Sequence, residues 1–110
     1  MAKIIPKEHL PGGNLFQGSA FEGIPISFFW VQAAPGKGPR LHKHPYEEIF
    51  VILEGHATFT LGESTLEVDS GNIVIGPAGV PHKFINAGEG LLRTMNIHPS
   101  PEVITEWLED

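Results

Sequence analysis

The chain has 110 residues, 13 of them Gly and 10 Pro, which predicts one turn-rich domain over residues 1–110. Leu, Ile, Val and Phe make up 30% of it, above the level of under about 20% that marks disorder. The formal net charge is −6, and the seven cations are scattered, so no basic stripe exists for nucleic acid. No apolar run approaches the roughly 18 residues of a membrane span. The absence of cysteine excludes disulfides, thiolate nucleophiles and Cys-type zinc sites. The apolar run after Met1 breaks at Pro6, unlike a secretory signal, so a cytoplasmic location is expected.

Gly and Pro are poorly tolerated inside helices, so the composition favours short strands. Residues 1–23 read as an irregular arm with extended pieces at Ile4-Ile5 and Leu15-Phe16. Ile24 to Ala33 is β-branched and aromatic, which predicts a strand. Ile49 to Leu53 is apolar on both faces and is expected to be buried on both. His56 to Leu61 alternates, placing Ala57, Phe59 and Leu61 inward and His56, Thr58 and Thr60 in solvent. Gly62-Glu63 reads as a two-residue II′ hairpin turn. Thr65 to Asp69 follows with Leu66 and Val68 inward, then strands at Ile73 to Ile75, His82 to Asn86 and Leu91 to Ile97. Strands at this spacing suggest a sandwich or barrel. Ser100 and Pro101 have the chemistry of a helix start, so a short helix is predicted over 101–108.

Six histidines against no cysteine is the compositional skew with chemical content. His42 and His44 are two apart, which on a strand puts both imidazoles on one face. Glu48 follows at the start of the next strand, and His82 comes from a distant segment. Three imidazoles and a carboxylate form an N/O ligand set for borderline divalent metals. Glu47 has the opposite parity to Glu48. His9, His56 and His98 read as solvent or turn residues.

These residues sit in a pattern that resembles the cupin family. Gly36, His42, His44, Glu48 and Gly55 match its first motif over 36–55. Gly71, Pro77, Gly79, His82 and Asn86 match its second over 71–86, with fifteen residues between. The resemblance implies an all-β double-stranded β-helix, the cupin jelly-roll barrel. It also implies one divalent metal ion per chain (Fe, Mn, Zn, Ni or Co) held by His42, His44, Glu48 and His82, and a homodimer, often formed by exchange of N-terminal strands.

Four ligands leave two neighbouring positions on an octahedral ion. That allows dioxygenase chemistry with a redox metal, or isomerase and lyase chemistry with a Lewis acid, on a small oxygenated substrate. A non-catalytic module that binds or senses a small molecule through the metal is the alternative. Candidate pocket residues are Arg40, Tyr46, Phe50, Phe84, Met95 and Ile97; an exposed loop arginine and plain core residues are the simpler readings. No side chain is assigned a catalytic role.

Overall fold

The computed structural model describes residues 2–110; Met1 lies outside them. Among the described residues, ten strands form two antiparallel five-stranded sheets. The strands are β1 (Leu15–Gln17), β2 (Ser27–Ala33), β3 (His42–Lys43), β4 (Glu48–Glu54), β5 (His56–Leu61), β6 (Ser64–Asp69), β7 (Ile73–Gly76), β8 (His82–Asn86), β9 (Leu92–His98) and β10 (Glu106–Trp107). One sheet has the order β1-β2-β9-β4-β7 and the other β10-β3-β8-β5-β6. The two face each other as a jelly-roll barrel, as the family resemblance implies and within the sandwich or barrel that the strand spacing suggests.

The inward faces follow period-two alternation. Phe50 and Ile52 on β4, Ala57 and Phe59 on β5, Phe84 on β8 and Leu92 on β9 are buried together with Ala33, Val68 and Val74. Phe59 is the hub of this core, its ring centre 5.0 Å from those of Phe50 and Phe84. Each such ring contributes about 1.5–3 kcal/mol by leaving water. Leu61 and Ser64 pair directly across Gly62-Glu63, and Gly62 has φ +59°, the positive first position of a II′ turn.

Aromatic residues of the arm cover part of the outer face of β2. Phe16 stacks on Phe21 and Phe28, and Phe28 meets Trp30 edge-on. Leu15-Phe16 is extended as expected, pairing with Phe29 and Phe28 of β2. Ile4-Ile5 forms no strand.

Three expectations are corrected. Residues 101–108 are not a helix: bends at Pro101 and Glu102 lead into β10, where Glu106 and Trp107 pair with Lys43 and His42. The Ser100 hydroxyl still accepts the Glu102 N–H at 3.3 Å. Beyond it, β-branched Val103, Ile104 and Thr105 favour extended backbone, and the open edge of β3 supplies backbone partners, including Leu41 C=O for Leu108 N–H at 2.9 Å. Ile49 to Leu53 is buried on one face only; Ile49 and Val51 are half-buried and Leu53 is exposed. Leu66 is exposed while Val68 is buried; β6 is the edge strand of its sheet, and Leu66 lies on it opposite Phe59.

A candidate metal centre at the open end of the barrel

His42 lies on β3 and His44 just beyond it, Glu48 is the first residue of β4, and His82 is the first residue of β8. His42 and His82 are register partners across the β3–β8 ladder. The loop that delivers His82 is pinned to the first motif: Gly79, at φ +75°, donates its N–H to the His44 carbonyl at 2.8 Å. Gly62 N–H is bonded to Pro81 C=O at 2.8 Å, which fixes the far end of that loop.

All four side chains are buried, and each offers a ligand atom within 4.8 Å of the others. His44 Nε2 and His82 Nε2 stand 2.9 and 3.0 Å from Glu48 Oε1. None of these three atoms is satisfied by a hydrogen bond, so they converge on a common point rather than pairing off. Buried polar atoms without partners cost about 1–3 kcal/mol each, and a divalent cation would satisfy them together. The donor set fits such an ion.

The outer nitrogens are set for the same task. His42 Nδ1 lies 2.6 Å from the Arg40 carbonyl and His44 Nδ1 lies 2.7 Å from the Ile104 carbonyl. A carbonyl only accepts, so both Nδ1 atoms carry the hydrogen and both Nε2 lone pairs face the centre. His82 departs from this pattern, since its buried Nδ1 has no partner. Burial pushes the His42 imidazole below its ordinary value, which keeps it neutral as a ligand must be. Burial pushes the Glu48 carboxyl up, but the imidazole nitrogens of His44, His82 and His98 around it outweigh this and hold it well below the usual carboxylate range.

A pocket of about 340 Å³ opens onto the centre, within the range of small-molecule sites. Phe29, Val31, Ala33, Phe84 and Trp107 supply apolar walls, while Asn96, His98 and Thr105 bring polar groups. Of the candidate pocket residues, Phe84 lines it. Arg40 is exposed beside the pocket, its guanidinium 4.9 Å from the Trp107 ring centre. Phe50 is core, edge-on to His82 at 5.4 Å. The Tyr46 hydroxyl is 2.6 Å from His98 Nδ1, behind the ligands rather than in the pocket. Burial pushes its phenol up.

Met95 and Ile97 are not in the lining. On β9 the inward residues are Leu92, Thr94, Asn96 and His98, so Met95 and Ile97 face out of the barrel. Apolarity points to the wrong face here because this end of the interior is polar. His98, expected in solvent, is buried with Nε2 3.2 Å from Glu48 Oε2. The signal for it is the Thr94-x-Asn96-x-His98 stripe, continuous in parity with buried Leu92. His56 is on the outer face as expected, bonded to Asp69 at 2.7 Å and Glu67 at 2.8 Å. Asn86, in the second motif, is structural: its amide donates to Ala33 and Gly90 carbonyls, and its oxygen accepts Gly88 N–H.

Comparison with known proteins agrees with this geometry. Residues 29–98 match the family model described as Cupin domain. An uncharacterized protein of Streptomyces coelicolor is 37% identical over 59 residues, covering 54% of this chain and 55% of its own. A probable mannose-6-phosphate isomerase of Caenorhabditis elegans is 30% identical over 111 residues, covering 94% of this chain and 25% of its own. The chain thus spans about half the length of the first relative and a quarter of the second. The crystal structure of the Lactobacillus farciminis oxalate decarboxylase formate complex superposes with a TM-score of 0.78 at 25% identity, over 86% of this chain and 30% of that one. With the matched segment holding every residue of the His/Glu cluster, the chain belongs to the cupin domain family.

Proposed function

We propose that the protein is a metal-dependent dioxygenase acting on a small, oxygen-bearing substrate, with His42, His44, Glu48 and His82 holding one divalent ion (Fe, Mn, Zn, Ni or Co). The observation that carries this reading is the placement of unsatisfied ligand atoms at the floor of an open, apolar-walled pocket. A metal that only staples a fold needs no such access. When bound, the ion supplies the site at which substrate oxygens and O₂ are brought together.

The chain's own residues supply the rest. Phe29, Val31, Phe84 and Trp107 exclude water and favour an apolar body next to the chelating oxygens. No Lys or Arg among the described residues lines the pocket, so a bound ion would be the cationic partner there for substrate oxygens. Lewis-acid isomerase or lyase chemistry is the less favoured enzyme class. It needs a positioned acid or base to carry a proton, and outside the ligand set His98 is the titratable side chain of the lining, already engaged with Tyr46 and Glu48.

The second reading is a module that binds or senses a small molecule through the metal without turnover, favoured by that same shortage of acid–base groups. Oxygen uptake separates the two. The Fe(II)- or Mn(II)-loaded protein is expected to consume O₂ with at least one of a panel of catechols, β-diketones, flavonols and thiols. No uptake, with saturable ligand binding, favours the module.

We also propose a cytoplasmic homodimer. No helix among the described residues is long and apolar enough to cross a membrane. Ile73 and Ile75 of edge strand β7 are 64% and 62% exposed, beside half-buried Ile49 and Val51, a face that a second copy would cover. Exchange of N-terminal strands is the less favoured route, because β1 already pairs with β2 of its own chain. Light scattering is expected to give twice the chain mass, and one chain mass refutes the dimer.

A further inference from the structure

The backbone of Ile104, in the segment between β9 and β10, touches the centre twice. Its carbonyl accepts from His44 Nδ1 at 2.7 Å, and its N–H donates to the Tyr46 hydroxyl oxygen at 3.1 Å. These two groups have no choice of role: a carbonyl accepts and an N–H donates. The consequences run in opposite directions. His44 must carry its hydrogen on Nδ1, leaving Nε2 bare toward the metal position. The Tyr46 oxygen accepts from Ile104, and its hydroxyl, 2.6 Å from His98 Nδ1, is the donor available to a bare nitrogen there. The Glu48 carboxylate only accepts, so His98 Nε2, 3.2 Å from its Oε2, carries a hydrogen, and Nδ1 is the nitrogen left to take the Tyr46 hydrogen. Glu48 is left with Oε1 directed at His44 and His82.

We propose that Ile104 is a clamp that holds His44 as the Nδ1–H tautomer and anchors Tyr46 against His98, so that His44 is a ligand and His98 the holder of the Glu48 carboxylate, and that it thereby couples docking of the C-terminal strap to metal binding. This explains why His98, with its ring centre 4.6 Å from that of His44, stands outside the ligand set. Tyr46 and His98 are positioning residues, acting on the metal position through Glu48. The strap Val103–Trp107 is also held by Val103 N–H on Gln17 Oε1 at 2.9 Å, Thr105 Oγ1 near His44 Nδ1 at 3.3 Å, the Trp107 ring against His42 at 4.8 Å and under the Arg40 guanidinium at 4.9 Å, a Lys43–Glu106 ion pair at 3.8 Å and the short β10–β3 pairing. Coupling is reciprocal, so an ion that orders His44 and Glu48 tightens the strap, and a released strap loosens the ion. The proposal rests on the reading that the four residues hold a divalent ion.

The test is nitrogen-15 NMR of the histidine rings with and without Zn(II), a diamagnetic probe, alongside Zn(II) titration. In the wild-type protein, His44 is expected as the Nδ1–H tautomer and His98 as the Nε2–H tautomer, and Zn(II) is expected to slow exchange of the Ile104 amide at least about tenfold. Tyr46→Phe removes the relay. It takes away the acceptor of the Ile104 N–H and the partner of His98 Nδ1, and is expected to free the His98 ring and weaken Zn(II) binding about 10–100-fold. His98→Gln keeps an N–H donor near Glu48 and is expected within about threefold of wild type, whereas His98→Leu matches Tyr46→Phe. This second pair decides the matter if Tyr46→Phe does not fold. An Nδ1–H tautomer at His98, or wild-type affinity in both Tyr46→Phe and His98→Leu, overturns the clamp while leaving the metal site standing. No Zn(II) binding by the wild-type protein overturns the site reading and the clamp with it.

Discussion

His42 and His82 sit directly opposite each other across the β3–β8 ladder, their ring centres 4.5 Å apart. The sheet therefore holds two of the four ligand side chains at a fixed separation, while His44 follows β3 and Glu48 opens β4 of the facing sheet. Removing His82 takes away one ligand and leaves Glu48 Oε1 facing His44 alone. His82→Ala is expected to reduce metal content from one ion per chain to under about a tenth. Elemental analysis after gel filtration reads this directly, and full occupancy in the variant contradicts the assignment.

Two glycines near the site have different reasons for being glycine. A Cβ on Gly38 would lie 1.8 Å from the Phe84 carbonyl oxygen, so the backbone of β8 would have to move. Gly36 has open space but φ +81°. Gly38→Ala is expected to cost about 3 kcal/mol or more and to weaken metal binding by displacing the strand that carries His82. Gly36→Ala is expected to cost about 1–2 kcal/mol, from left-handed backbone alone, with metal content unchanged. Denaturant titration of both variants checks the order.

Asn86 ties the β8–β9 turn to the end of β2 through its three hydrogen bonds. Asn86→Ala leaves two carbonyls and one N–H without partners, at roughly 2–4 kcal/mol in all. Stability is expected to fall by that amount in urea unfolding, with stoichiometric metal retained in the folded fraction. Loss of metal without loss of stability would show a direct role at the centre.

The His56 cluster gives a pH signature away from the metal. Hydrogen bonds to Asp69, and next to Glu67, raise the His56 imidazole above its ordinary 6.5. The hydrogen bond from His56, and next that from Thr58, lower Glu67 below its ordinary 4.5. A raised histidine stabilises the fold fully below its unfolded value and loses that contribution as pH rises through the raised one. A lowered carboxylate stabilises above its unfolded value and loses the contribution as pH falls through the lowered one. The stability difference between wild type and His56→Gln is expected to peak between pH 4.5 and 6.5 and to fade on both sides. A flat difference across pH 3–9 contradicts the pairing.

Strand periodicity and ligand spacing were legible in the residues because both are local. Glu48, Phe50 and Ile52 share one parity, as do His82, Phe84 and Asn86, and all six are buried. What was not legible depends on which face of a strand the barrel turns inward. On β9, Met95 and Ile97 look like lining and His98 looks like a turn residue beside Pro99. The inward stripe is in fact Leu92, Thr94, Asn96 and His98, because a polar centre needs polar neighbours. The tail misled for a related reason. Its Ser-Pro start suits a helix, but the β3 edge offers Glu106 and Trp107 a ladder, and tertiary pairing overrides a weak local signal.

The central claim is that His42, His44, Glu48 and His82 hold one metal ion. Anomalous diffraction at the metal edge, from crystals of protein purified with its native ion, tests it most directly. The account predicts one peak per chain, within about 2.0–2.2 Å of a nitrogen of each of the three histidines and an oxygen of Glu48. Metal-containing crystals with no peak at that point, or with the ion bound elsewhere, contradict it.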